Sequence, residues 1–186
     1  MAMPVQQGEW TAELARALPD DGKRYEVLDG ELFVTPAPAL LHQRALLELY
    51  DRLKPYVTQH KLGEVLLSPA DIEFSPKRLL QPDVFVIPDA DGKRRKTWRD
   101  VKTLLLAVEA LSPSTARADR IKKRRIYLDE GVPEYWIIDL DARAVERWRP
   151  GDERPEILSE ALTWQPGAAV EPLRIDLGAY FAAVLD

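Results

Sequence analysis

The sequence predicts an α/β domain of the α+β kind, with a central mixed or antiparallel sheet flanked by helices. Three observations predict it. Short runs of alternating or wholly apolar residues recur along the chain, separated by turn signals. Two longer stretches, Leu40 to Gly63 and about 115 to 130, carry helical periodicity. The 186-residue length suits one domain and allows burial of about 70% of the unfolded surface. Residues 1–186 are therefore expected to form a single domain, with an N-terminal helix and hairpin over 1–35 and an acidic C-terminal extension from about 141 to 186.

The elements follow in order. "TAELARAL" (Thr11 to Leu18) reads as a short helix. "YEVLDGELFVT" (Tyr25 to Thr35) is a pair of strands turned by Asp29-Gly30, a dipeptide suited to a tight hairpin. Leu40 to Gly63 predicts a helix that Pro55 kinks or shortens and that Gly63 caps at its C-terminus. "EVLLS" and "DIEFS" are strands on either side of Pro69. "DVFVI" (Asp83 to Ile87) is a strand closed by Pro88, and the polar stretch 89–100 predicts a surface loop. "LLLAVEA" (Leu104 to Ala110) is apolar on both faces, as a central strand is. Ser112 to Thr115 can cap a helix over about 115 to 130, with Gly131 as its stop. "PEYWIIDL" and "AVERWRP" predict two more strands. Beyond them lie turns, one or two strands and a short amphipathic helix near "LGAYFAAVL".

Composition excludes several chemistries. Hydrophobic residues make up 46% and charged residues 31%, and there is no cysteine. Disulfides, thiolate zinc sites and cysteine nucleophiles are thereby ruled out. The opening "MAMPVQQGEW" lacks a basic segment followed by an apolar one, and no apolar run approaches the roughly 18 residues of a membrane span. A cytoplasmic protein without membrane contact is the expectation. His42 and His60 have no third ligand near them, which argues against a structural zinc site. No nucleophile elbow, phosphate-binding glycine loop or dinucleotide fingerprint occurs.

The net charge of −5 is unevenly spread. Residues 1–125 carry 21 basic and 18 acidic side chains, whereas residues 126–186 carry 5 and 13. "KRRKTWR" (Lys93 to Arg99) and "RADRIKKRR" (Arg117 to Arg125) could meet a phosphate backbone, or be merely solvated faces. The acidic part should repel DNA unless it faces away or pairs with a partner chain, so a homodimer stands beside DNA as a partner expectation.

Glu109 is the anomaly, a carboxylate inside an apolar run. A buried carboxylate is expensive unless paired, protonated or bound to metal. Side chains alternate along a strand, so Leu105, Ala107, Glu109 and Leu111 share one face. If the strand beginning at Asp83 is its antiparallel neighbour, the two carboxylates converge at one edge of the sheet. Two hard oxygen ligands with room for water suit Mg²⁺, with Mn²⁺ as the alternative. Asp119, Lys123 and Tyr127 fall at i, i+4 and i+8 on the following helix. A lysine on that face could reach the acids and orient or deprotonate a water.

The string "QPDVFVI…LLLAVEALSPST…D…K…Y…GVPEYWIID", with "RYEVLDGEL" and His42 upstream, resembles the PD-(D/E)XK superfamily of restriction-endonuclease-like nucleases. More narrowly it resembles the Uma family of bacterial endonucleases. The resemblance runs from about Tyr25 to Asp139. It implies a restriction-endonuclease-like core and a Mg²⁺-dependent endonuclease that hydrolyses phosphodiester bonds. It implies Asp83 and Glu109 as metal ligands. The standard pattern places a lysine two residues after the acid, where this sequence has Leu111. The resemblance implies that the lysine has moved to the next helix as Lys123. Glu26 and Asp119 also fall on motif positions, and His42 is a further accessory residue.

Plainer readings stand beside these. Asp83 could bind local amides at a strand start. Glu109 could pair with Arg117 or cap the next helix. Lys123 could be a helix-surface partner of Asp119, and Glu26 hairpin scaffolding. Tyr127, Tyr135 and Trp136 suit the core better than a base-stacking platform. The main alternative function is a nuclease-fold binding or interaction module that has lost cleavage. Hydrolysis of a small phosphate ester is disfavoured by the absence of a phosphate-cradling glycine loop.

Overall fold

The computed structural model describes residues 9–89 and 95–186. Helix α1 (Ala12–Arg16) starts at Thr11, whose hydroxyl accepts from the Leu14 amide at 3.2 Å. Strands β1 (Arg24–Leu28) and β2 (Glu31–Thr35) form the expected hairpin. Both turn residues have positive φ, 51° at Asp29 and 83° at Gly30, which explains the Asp-Gly pair. Helix α2 (Leu40–Gln59) continues past Pro55, which does not shorten it. Its end departs from expectation. Lys61, at φ 52°, takes the left-handed position, and Gly63 opens the next strand. A Cβ at Gly63 would lie 1.8 Å from the Ile87 carbonyl oxygen, so the glycine permits close strand approach and is no helix cap.

Strands β3 (Gly63–Leu67), β4 (Ile72–Ser75) and β6 (Val84–Pro88) match expectation, and β5 (Arg78–Leu80) lies between the last two. Of the predicted surface loop, residues 90–94, and with them Lys93 and Arg94, lie outside the described residues. Trp98–Asp100 form a 3-10 turn. Strand β7 (Leu106–Ala110) is buried at every position. The helix after it is continuous but not uniform. It comprises α3 (Ala116–Ala118), a π-helical segment (Asp119–Lys123) and α4 (Arg124–Asp129), and it stops at Gly131, φ 77°. Its start departs from the side-chain cap expected, because Thr115 makes no capping hydrogen bond. The Ser112 carbonyl instead accepts from the Thr115 and Ala116 amides at 3.1 and 3.0 Å. Then come β8 (Tyr135–Asp139), β9 (Ala144–Trp148), β10 (Glu156–Leu158), β11 (Ala161–Trp164), β12 (Leu173–Asp176) and α5 (Leu177–Leu185). The last region thus holds three strands beyond β9, rather than one or two.

The six-stranded sheet has the order β10-β9-β8-β7-β6-β3, and only β7 and β8 run parallel. A parallel pair needs a crossover, and the α3–α4 helix supplies it. A second sheet has the order β2-β1-β5-β4, and β11 pairs with β12. The two faces of the large sheet pack on different partners. Val84, Val86, Leu106, Val108 and Trp136 join Leu49, Leu53 and Val57 of α2 and Phe181 of α5. Phe85, Ile87, Ala107, Tyr135 and Ile137 join Ile126 and Tyr127 of α4 and Leu28, Ile72 and Leu80 of the second sheet. Both faces are therefore covered, which is why the β7 run is apolar on both sides. Glu109 alternates with Ala107 onto the second face, between sheet and helix. Tyr127, Tyr135 and Trp136 are core residues, each fully buried.

Candidate active site

Asp83 stands immediately before β6. Its amide donates to the Val108 carbonyl at 3.0 Å, and its Oδ2 accepts from the Ala110 amide at 3.0 Å. Glu109 lies between those two residues on β7. The antiparallel register, with Val84 opposite Val108, brings the two carboxylates to one edge of the sheet. Both line a cleft of about 640 Å³, together with Arg24, Thr35, His42, Leu111, Arg120 and Asp139.

Each carboxylate is held by a separate set of donors. The Nη1 of Arg24 donates to Asp83 Oδ1 at 2.6 Å, and His42 Nε2 lies 2.9 Å from Oδ2. Burial works against the charged form of Asp83. The hydrogen bond and pull of His42, then the charges of Arg24 and Lys123, outweigh it and keep the carboxyl well below the usual range. Glu109 Oε1 accepts from Lys123 Nζ at 3.1 Å and from the Tyr127 hydroxyl at 3.0 Å. Its pKa nevertheless lies well above the usual value. Burial raises it most; the Lys123 charge opposes, and repulsion from Asp83, Asp119 and Glu26 adds to the rise. The Arg117 partner considered for Glu109 is not the one it takes.

Lys123 is the hub behind this wall. Its Nζ lies 3.0 Å from Glu26 Oε2, 3.1 Å from Glu109 Oε1 and 3.4 Å from Asp119 Oδ1. All four side chains are at most 2% exposed. The Lys123–Asp119 pair is real, but it is buried and shared rather than a helix-surface contact. The contact to Glu26 is an ion pair without hydrogen-bond alignment, and both oxygens of Asp119 are buried without a hydrogen-bond donor among the described residues. Glu26 is fixed by the Gln81 amide, which donates to Oε1 at 2.8 Å. Burial lowers the Lys123 pKa, but its four acidic neighbours raise it further, so it stays protonated. Asp119 is pushed up to about 6, chiefly by burial, with Lys123 and the nearby Thr115 hydroxyl opposing and Asp83 and Glu26 adding repulsion. Burial also raises Tyr127, which therefore acts as a hydroxyl donor.

Asp119 and Lys123 bound the π-helical segment. The Arg124 amide bonds to the Asp119 carbonyl five residues back. Asp119, Lys123 and Tyr127 all turn inward, while Lys122 points out and pairs with Glu31 at 2.5 Å. Such segments recur at functional sites.

Asp83, Glu109 and His42 line the cleft, whereas Glu26, Asp119 and Lys123 sit behind its wall. The basic cluster 117–125 is largely neutralised from within. Arg120 pairs with Asp139 at 2.9 Å and Glu146 at 2.6 Å, Arg125 pairs with Asp29, and Arg124 stacks over Trp148 at 4.3 Å. Arg24 was missed. Its signal was available, because on a strand it shares a face with Glu26.

A family model, Uma2, described as "Putative restriction endonuclease", matches residues 12–178. The chain belongs to the Uma2 family. A solved structure similar to this Uma2 chain is described as a "putative nuclease belonging to DUF820" from Anabaena variabilis ATCC 29413. The two are 18% identical, with a TM-score of 0.75 over 94% of this chain and 99% of that one, a likeness of fold. A comparison with curated proteins finds no match. Among the described residues, no helix of the Uma2 chain is long and apolar enough to cross a membrane, and no three His, Asp or Glu side chains are grouped to hold a metal ion. A metal here would rest on Asp83 and Glu109, with water or substrate completing the shell.

The residues fit such an ion by donor type and by charge. Both ligand candidates are hard carboxylates on one cleft, as Mg²⁺ requires. The cluster of Glu26, Asp83, Glu109 and Asp119 against Arg24 and Lys123 has a formal charge of −2 when all are ionised. A carboxylate also offers about four lone-pair positions, so its present hydrogen bonds do not exhaust it.

Proposed function

We propose that this Uma2 protein is a metal-dependent endonuclease that hydrolyses DNA phosphodiester bonds. The observation that carries this reading is the pair of carboxylates, Asp83 and Glu109, from adjacent antiparallel strands on one cleft. Mg²⁺ or Mn²⁺ held there would polarise the phosphodiester and activate water. The chain's own residues prepare the site. His42 and the Ala110 amide orient Asp83. Lys123 and Tyr127 orient Glu109 from behind and hold its Oε1. Because Lys123 stays protonated and off the cleft, it acts as a positioning residue and fixed charge, not as the base.

The test is incubation of supercoiled plasmid with the protein and Mg²⁺ or Mn²⁺. The reading expects nicked or linear product with wild type, none with Asp83→Ala, and none in EDTA. An intact plasmid under every divalent ion, with metal binding retained, favours the interaction-module alternative.

A further inference from the structure

A phosphodiester in the cleft carries negative charge, which a cation lining the cleft would meet. Position 111, the usual place for it, is leucine, and Lys123 lies behind the wall, 1% exposed. Among the described residues lining the cleft, the cations are Arg24 and Arg120. Arg120 is committed to Asp139 and Glu146. Arg24 touches Asp83, which is the carboxylate a metal would take, and reaches Ser68 Oγ only at 3.4 Å. Its Nε is buried and has no hydrogen-bond partner among the described residues, so the fork carries unused donor capacity. Thr35, paired with Arg24 across the hairpin, likewise lines the cleft with an unpartnered buried hydroxyl. A guanidinium with donor capacity to spare matches phosphate oxygens, for which its planar fork is suited.

We infer that Arg24 is the phosphate-binding residue of this site. In the metal-free protein it stands in for the divalent ion on Asp83, and when that carboxylate is taken over it donates instead to a non-bridging oxygen of the scissile phosphate. The inference rests on the nuclease reading for its second half only. Its first half concerns metal affinity and is measured separately.

The test compares wild type, Arg24→Met and Arg24→Lys by Mn²⁺ calorimetry, thermal melts with and without Mn²⁺, and plasmid cleavage. Arg24→Met removes the competing charge, so Mn²⁺ binds about tenfold tighter, equivalent to about 1.4 kcal/mol, while cleavage is lost. Arg24→Lys keeps the charge, binds Mn²⁺ as wild type does and cuts more than Arg24→Met. Arg143→Met, which removes a surface partner of Asp186, leaves Mn²⁺ affinity unchanged. If Arg24→Met is poorly folded without metal, Mn²⁺ should restore it, since the ion replaces the lost charge on Asp83, and failure of that rescue overturns the inference. Equal or weaker Mn²⁺ binding in Arg24→Met, or wild-type cleavage by it, also overturns it. A wild type that binds Mn²⁺ but never cuts ends the nuclease reading. In that case tighter Mn²⁺ binding by Arg24→Met still supports the stand-in role, and unchanged binding ends it.

Discussion

Replacing Asp119 with asparagine is expected to stabilise the protein above pH 6 and leave it unchanged near pH 4. Asp119 is 1% exposed, and the Lys123 ion pair at 3.4 Å and the nearby Thr115 hydroxyl only partly offset its burial. Its pKa rises from 3.8 to about 6 in the folded state, first because of burial. An acid with a raised folded pKa binds its proton more tightly when folded, so stability falls as pH climbs from about 4 to about 6. Above that window the folded state carries a penalty of about two units, or about 3 kcal/mol. Solvent screening does not reduce this for a buried group. Asparagine mimics the protonated acid and removes the penalty, which corresponds to a Tm higher by about 6–12 °C for a chain of this size. Asp83 does not confuse the reading, because its depressed pKa places its own stability loss below about pH 4. Urea or thermal melts of both proteins from pH 4 to pH 8 make the measurement. An offset equal at both ends of the range, or a variant less stable than wild type at pH 8, would refute the reasoning.

Other perturbations separate the roles of neighbouring residues. Lys123→Met leaves three buried acids without their cation and should cost about 3–5 kcal/mol, read as a lower urea midpoint, with cleavage lost even well below the melting temperature. Lys122→Met removes only an exposed partner of Glu31, so it should leave the midpoint within about 0.5 kcal/mol and weaken DNA binding by about one phosphate contact in a salt titration. Gly63→Ala drives a Cβ into the Ile87 carbonyl at a positive φ and should cost about 3 kcal/mol or more, a loss visible in the same melts.

The parts of the site that follow from one-dimensional periodicity were legible in the sequence. Alternation along β7 put Glu109 on a definite face, and an antiparallel neighbour beginning at Asp83 brought the acids together. Spacing of four placed Asp119, Lys123 and Tyr127 inward and Lys122 outward, and the π-helical segment preserved that result although it is not an ideal α-helix. What could not be read was pairing over long separations. Strand β5 is three residues, too short to show a period, and it exists because it pairs with β1, some fifty residues earlier. Alternation put Arg24 on one face with Glu26, but without that second sheet it did not show that the face would meet Lys123 and Asp83. Gly63 was misread for a related reason. Its φ is demanded by a backbone across the sheet, and a local helix-end rule cannot see that backbone.

Leucine at position 111 now has a mechanical meaning. In the pattern this chain resembles, a lysine stands two residues after the metal-ligand acid, on the same face of the strand. Here Lys123 holds Glu109 from behind the wall, and Arg24 on the cleft meets the phosphate. Leu111 lines the cleft, and its backbone amide is bound to the Ile138 carbonyl at 2.9 Å. A lysine placed there would keep that backbone bond and reach the cleft, at the loss of the packing Leu111 makes on the core of this face. Leu111→Lys should therefore rescue Arg24→Met, recovering cleavage by about tenfold or more, the worth of one charge-assisted hydrogen bond. It should not rescue the stability of Lys123→Met, because a side chain on the cleft cannot neutralise Glu26 and Asp119 behind it. Plasmid cleavage and urea melts of the two double variants decide between these roles. Recovery of cleavage in the Lys123→Met background, but not in the Arg24→Met background, would show that Lys123 meets the phosphate and that Arg24 only holds Asp83.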